Sequence, residues 1–172
     1  MGKVAKITLL VLCLTLIVTK EVQATIVTDT IQAFTLHKNN LDPTIVYDGI
    51  NGKIIAKIYP NQTEKTGHIF SVLECKNGWF RIDLNLTNVQ AWVKVGVLGV
   101  NSKNYDQAFL ILLEKANQNS KEVYKANFET TLILLDISKK WVRVELKNKN
   151  GKVYSGWIMK DMACGNPYTT CN

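Results

Sequence analysis

Residues 77–84 read NGWFRIDL, and residues 139–146 read KKWVRVEL. Trp79 aligns with Trp141, Arg81 with Arg143, Ile82 with Val144, Asp83 with Glu145 and Leu84 with Leu146. Each is followed by a polar loop and a second tryptophan, so that QAWVKVGVL (90–98) matches SGWIMKDMA (155–163). The tryptophans lie 13 residues apart in the first copy and 16 in the second, and the extra length falls in KNKNGK (147–152). Upstream, HIFSVLECKNGW (68–79) aligns ungapped, back from its tryptophan, with TLILLDISKKW (131–141). IVYDGINGKIIAKI (45–58) matches LLEKANQNSKEVYKA (112–126) with one residue of slippage. Self-similarity of this length means a duplicated structural unit. The chain therefore reads as two units, with their junction in GVNSKNYDQ (99–107).

Both copies alternate with period two, which is the pattern of a half-buried strand. Phe80, Ile82 and Leu84, with Val142, Val144 and Leu146, form the apolar face and point to the core. The Trp, Arg and Asp/Glu positions share the other face, which predicts partial exposure of Trp79 and Trp141. It also predicts that Arg81 and Arg143 pair with Asp83 and Glu145 on that surface. KNG and ISKK are short enough for hairpin connections, and NKNG is a further turn signal. The segment 109–126, FLILLEKANQNSKEVYKA, has helical composition. Its counterpart 45–58 holds two glycines and a turn, so the repeat predicts strand, loop, strand there. Short strands separated by turns predict an all-β fold of small antiparallel barrels.

The chain has 172 residues, 47% of them apolar and 20% charged, which is globular composition. Lys3 and Lys6 precede an apolar run, Ile7 to Val18, and small residues end the segment at Val22-Gln23-Ala24. That is the layout of a secretory signal peptide, with the cut after Ala24. The run is shorter than the roughly 20 residues a spanning helix needs. Cleavage removes three lysines and one glutamate and lowers the net charge from +7 to +5. Cys75, Cys164 and Cys171 remain in an oxidising compartment, where disulfides persist. Cys164 and Cys171 flank a bend at Gly165 and Pro167, which predicts a disulfide between them. Cys75 is left over and lies among apolar neighbours, as a buried, inert thiol or a site of intermolecular pairing.

NGWFRI with AWVKVGVL, and KKWVRV with SGWIMKDMA, resemble the bacterial SH3 domain (SH3b) family. Gly156-Trp157-Ile158 and Lys160-Asp161-Met162 match that family's closing segment, and CGNPYTTC resembles the tail of exported SH3-like proteins. The first unit departs from the pattern at Ala91, where the family has glycine, and in its opening segment FTLHKNNLDPTIVYDG. The resemblance covers residues 40–172. It implies two tandem SH3-like barrels after a cleaved signal peptide: 1–24 signal, 25–100 a divergent first barrel, 101–172 a second barrel with a disulfide-closed tail. It also implies an exported protein, in the periplasm or secreted, that binds peptidoglycan, its peptides or an envelope partner. Such domains accompany cell-wall hydrolases, so an accessory or regulator of a hydrolase, or a structural dimerisation module, is the alternative.

Little in the chain speaks for chemistry. The two histidines, His37 and His68, and Cys75 in an apolar strand make a weak case for a Cys–His site. No CxxC pair is present to bind zinc, and the isolated glycines mark turns rather than a phosphate loop. The expectation is a non-enzymatic protein with no cofactor or metal. The dispersed lysines describe a solvated surface, not a nucleic-acid stripe. Asn61-Gln62-Thr63 and Asn85-Leu86-Thr87 fit the N-glycosylation acceptor pattern, which matters only in a eukaryotic secretory route. Tyr47, Trp79, Trp92, Trp141 and Trp157 are the candidate groove residues, because aromatic-lined grooves accept extended ligands. The competing reading makes the tryptophans core anchors of small barrels.

Overall fold

The computed structural model describes residues 30–37, 42–60, 67–84, 89–106, 108–168 and 171. The signal peptide expected at 1–24 and the acceptor motifs at Asn61 and Asn85 lie outside them.

Among the described residues thirteen strands form one antiparallel sheet: β1 (Ile31–Thr35), β2 (Thr44–Tyr47), β3 (Ile54–Ile58), β4 (Ile69–Lys76), β5 (Trp79–Asp83), β6 (Ala91–Lys94), β7 (Leu98–Ser102), β8 (Leu110–Leu113), β9 (Glu122–Ala126), β10 (Thr131–Ile137), β11 (Trp141–Lys147), β12 (Val153–Met159) and β13 (Ala163–Cys164). A 3-10 turn, Lys160–Met162, precedes β13. Segment 109–126 is strand, loop, strand, as its counterpart requires; its helical propensity yields to cross-strand pairing and a buried apolar face. Among the described residues no helix is long and apolar enough to cross a membrane.

The ladder runs β3-β2-β6-β5-β4-β1-β7-β10-β11-β12-β8-β9 and does not close on itself. The order β3-β2-β6-β5-β4-β1 repeats as β9-β8-β12-β11-β10-β7. The hairpin β4–β5 pairs Val72 with Ile82, and β10–β11 pairs Leu134 with Val144. A bulge follows at the same place in both, between Val72 and Glu74 and between Leu134 and Asp136. The outer hairpins share a second bulge, between Val46 and Tyr47 and between Leu112 and Leu113. Bulges re-aim the residues beside them, so a repeated bulge presents the same outward positions in both copies.

The equivalence reaches further than the sequence showed. The His68 N–H donates to the Thr35 hydroxyl, and the Thr130 N–H donates to the Ser102 hydroxyl, both at 2.9 Å. The Thr35 N–H donates to the His68 carbonyl and the Ser102 N–H to the Thr130 carbonyl, again at 2.9 Å. These four bonds satisfy two buried hydroxyl residues and make β7 the second unit's counterpart of β1.

β7 also completes the first unit. One of its edges pairs with β10 through Gly99, Val100 and Asn101. Its other edge takes β1 at Leu98–Gly99 and β13 at Asn101–Ser102. The dividing line that the sequence suggests, between 100 and 101, falls inside this strand. One connected core follows, running from Ala33, Val72 and Phe80 through Leu98 and Val100 to Leu132, Val144 and Ile158. Of the predicted inward set, Phe80, Ile82, Val142, Val144 and Leu146 are buried within it, and Leu84 is half-buried against it.

The β4–β5 turn is built by Asn77 at φ 51° and Gly78 at φ 79°, the two left-handed residues of a tight hairpin. The predicted Cys164–Cys171 disulfide is formed and fastens the tail beyond β13.

Candidate functional site

β5 and β6 pair Trp79 with Lys94 and Arg81 with Trp92, so these four side chains share the sheet face opposite the core. Tyr47, the register partner of Trp92, leans on Trp79 edge to face with ring centroids 5.0 Å apart. The Lys94 ammonium lies 5.6 Å from the Trp79 ring centre, within cation–π range. In front of Tyr47 and Lys94 opens a groove of about 340 Å³, lined also by Leu36, Pro43, Ile45 and Val97, with His37 and Asp42 at one end. His37 is held there by hydrogen bonds to the Thr35 hydroxyl and the Asp42 carbonyl, each 2.9 Å.

The second unit carries a groove of about 280 Å³ in the corresponding place. The strand registers put Phe109 where Pro43 stands, Ile111 for Ile45, Leu113 for Tyr47, Met159 for Lys94 and Met162 for Val97. All five second-unit residues line it, together with Trp141. The first groove is thus cationic at its rim, and the second is softer and methionine-lined. The Glu122 carboxylate lines the second groove, and the Lys125 ammonium lies 3.9 Å from the ring centre of Phe109, another of its lining residues.

Of the residues singled out from the sequence, Tyr47 lines the first groove with Trp79 behind it, and Trp141 lines the second. Trp92 faces a separate polar cleft beside Gly49, Ile50, Glu74 and Arg81. Trp157 is half-buried opposite Arg143 and lines neither of the two grooves. The expected partial exposure holds for Trp141 and needs correction for Trp79. Trp79 and Trp92 are 6% and 7% exposed, whereas Trp141 and Trp157 are both half-buried. The contrast runs between units rather than between positions, because Tyr47 covers Trp79 where its counterpart Leu113 has no ring to offer. Arg81 is also corrected: its Nε pairs with Glu74 Oε2 at 3.0 Å, the residue directly across the hairpin. Pro43, Ile45, Lys94, Val97 and the methionines were not singled out. The signal for the last was the repeat itself, which sets Met159 against Lys94.

Cys75 lies half-buried on β4, its thiol 3.8 Å from the Leu135 carbonyl oxygen. Burial first, and then the neighbouring Asp136 carboxylate, push its pKa up to about 12. A thiol kept protonated in this way is a poor nucleophile. Asn104 occupies the place of His37 in the second unit, 3% exposed, and its amide has no hydrogen-bond partner among the described residues. Among those residues no three of His, Cys, Asp and Glu gather to hold a metal.

No protein-family model matches the chain. No curated protein matches it either. Two solved structures, NlpC1 and NlpC2 from Trichomonas vaginalis, are similar over 78% of this chain at 16% identity and a TM-score of 0.31. The match covers 45% of NlpC1 and 47% of NlpC2, so this chain spans less than half of either. At that TM-score the likeness carries no argument about function.

Proposed function

We propose that this chain is an exported, non-enzymatic binding protein of the cell envelope, built from two tandem SH3-like units, each presenting one groove to an extended peptide. The duplicated groove carries the reading. Residues that pack a core are held in place by packing alone, yet here outward-facing positions recur at matching registers in both units and form a cleft each time. A groove with aliphatic walls, an aromatic back and a cation at its rim suits a peptide with apolar side chains and a carboxylate. The stem peptides of peptidoglycan have that chemistry, and so has an extended segment of an envelope protein. The disulfide supports an oxidising compartment.

The test is co-sedimentation of residues 25–172 with purified cell-wall sacculi across a salt series. Retention at high salt, lost when Ile45→Asp and Ile111→Asp are combined in a folded protein, is the expected result. Retention abolished by modest salt would mean that net charge alone was responsible.

A further inference from the structure

A third cleft, of about 350 Å³, lies in the second unit beside the tail. The end of β7, the start of β10 and the disulfide-closed tail enclose it. Its lining is polar, with Asn101, Glu129, Thr130 and Thr131 joined by Tyr105 and Tyr168. We propose that this cleft binds a neutral saccharide.

The side-chain chemistry is specific. Asn101 commits its Oδ1 to the Thr131 hydroxyl at 2.9 Å, which leaves the Nδ2 hydrogens to donate. Glu129 is exposed and has no hydrogen-bond or ion-pair partner among the described residues, so both carboxylate oxygens are open to accept. A carboxylate that takes two adjacent hydroxyls, beside an amide that donates to a ring or acetamido oxygen, matches the alternating donors and acceptors of a sugar. The phenol faces complement its C–H face. No lysine, arginine or histidine lines the cleft, and Glu129 repels anions, so phosphates and carboxylates are poorly served.

The cleft is held in shape before any ligand arrives. β13 pairs Cys164 with Asn101, the disulfide closes the tail, and the Tyr168 N–H donates to Asn166 Oδ1 at 2.9 Å. Tyr168 thereby stands 49% exposed on a fixed turn. Fixing an aromatic wall in advance lowers the ordering cost of binding. This proposal does not rest on the peptide-groove reading, since the two sites share no residue.

The experiment is an amide-shift titration of the oxidised protein with two neutral probes, an N-acetylglucosamine tetramer and a maltose-type tetramer. The expected result is a saturable shift of the Asn101 side-chain amide with at least one probe. Tyr168→Ala and Glu129→Gln should each weaken it about tenfold, and the groove variant Lys94→Met should leave it unchanged. Both substituted cleft residues are exposed, so the fold persists in the variants. No saturable shift with either sugar overturns the proposal. So does binding that both cleft variants leave intact, or a cleft that takes tetramethylammonium in preference to sugar.

Discussion

Tyr47 meets Trp79 at 90°, ring edge to ring face, with centroids 5.0 Å apart. The repeat puts Leu113 and Trp141 in the same two places, so the second unit keeps the tryptophan and lacks the ring that covers it. Tyr47→Leu therefore copies the second unit into the first. It should cost about 0.5–1.5 kcal/mol of stability and raise the exposure of Trp79. Urea unfolding and a red shift of tryptophan emission check both; an unchanged midpoint would remove the role given to this contact.

Cys75 predicts a pH dependence. Its pKa stands at about 12 in the folded chain, against 9.0 for a free thiol. Between these values the unfolded chain has lost the thiol proton and the folded chain retains it, so the unfolded state binds fewer protons. Stability should then fall as pH rises from about 9 to about 12. The half-exposed position of the group keeps the effect small. Cys75→Ser should flatten that part of the profile. Thiol labelling at pH 8 should be slow in the folded protein and fast in denaturant.

The disulfide joins residues seven apart, a short loop, and its removal should cost about 2–3 kcal/mol. Cys164→Ser with Cys171→Ser should lower the denaturation midpoint accordingly and release Tyr168 from its cleft. A midpoint unaffected by reduction would show that β13 alone holds the tail.

β7 pairs with β1, β10 and β13, and Leu98 and Val100 on it are fully buried. A fragment of residues 97–172 should fold cooperatively. One of residues 103–172 should not, because β10 loses the partners of Thr131, Leu132 and Ile133. Circular dichroism with urea titration distinguishes them, and equal cooperativity in both would end the view that the second unit needs β7.

Much of the strand plan was legible in the chain. The alternation in NGWFRIDL and KKWVRVEL is a local property of the backbone, because successive side chains point to opposite sheet faces. The hairpin at Asn77-Gly78 is equally local, since its φ values are open to few residue types. Arg81 was misassigned because its partner depends on cross-strand register, and the bulge between Val72 and Glu74 sets that register. The exposure of Trp79 was misjudged because the covering ring comes from Tyr47, on a strand two places away in the sheet. β1 went unnoticed as the partner of β7 because the two share a hydrogen-bonding role and little sequence.

By itself the sequence determined the duplication, the all-β character, the inward and outward faces of β5 and β11, and the cysteine pair able to close the tail. Each follows from period, turn chemistry or short separation along the chain. Only the tertiary structure decided that β7 serves both units, that Lys94 and Met159 stand at matching groove rims, and that Asn101, Glu129 and Tyr168 surround one cleft. Those relations join residues far apart in the chain, and they exist only once the ladder has fixed its register and the core has drawn the strands together.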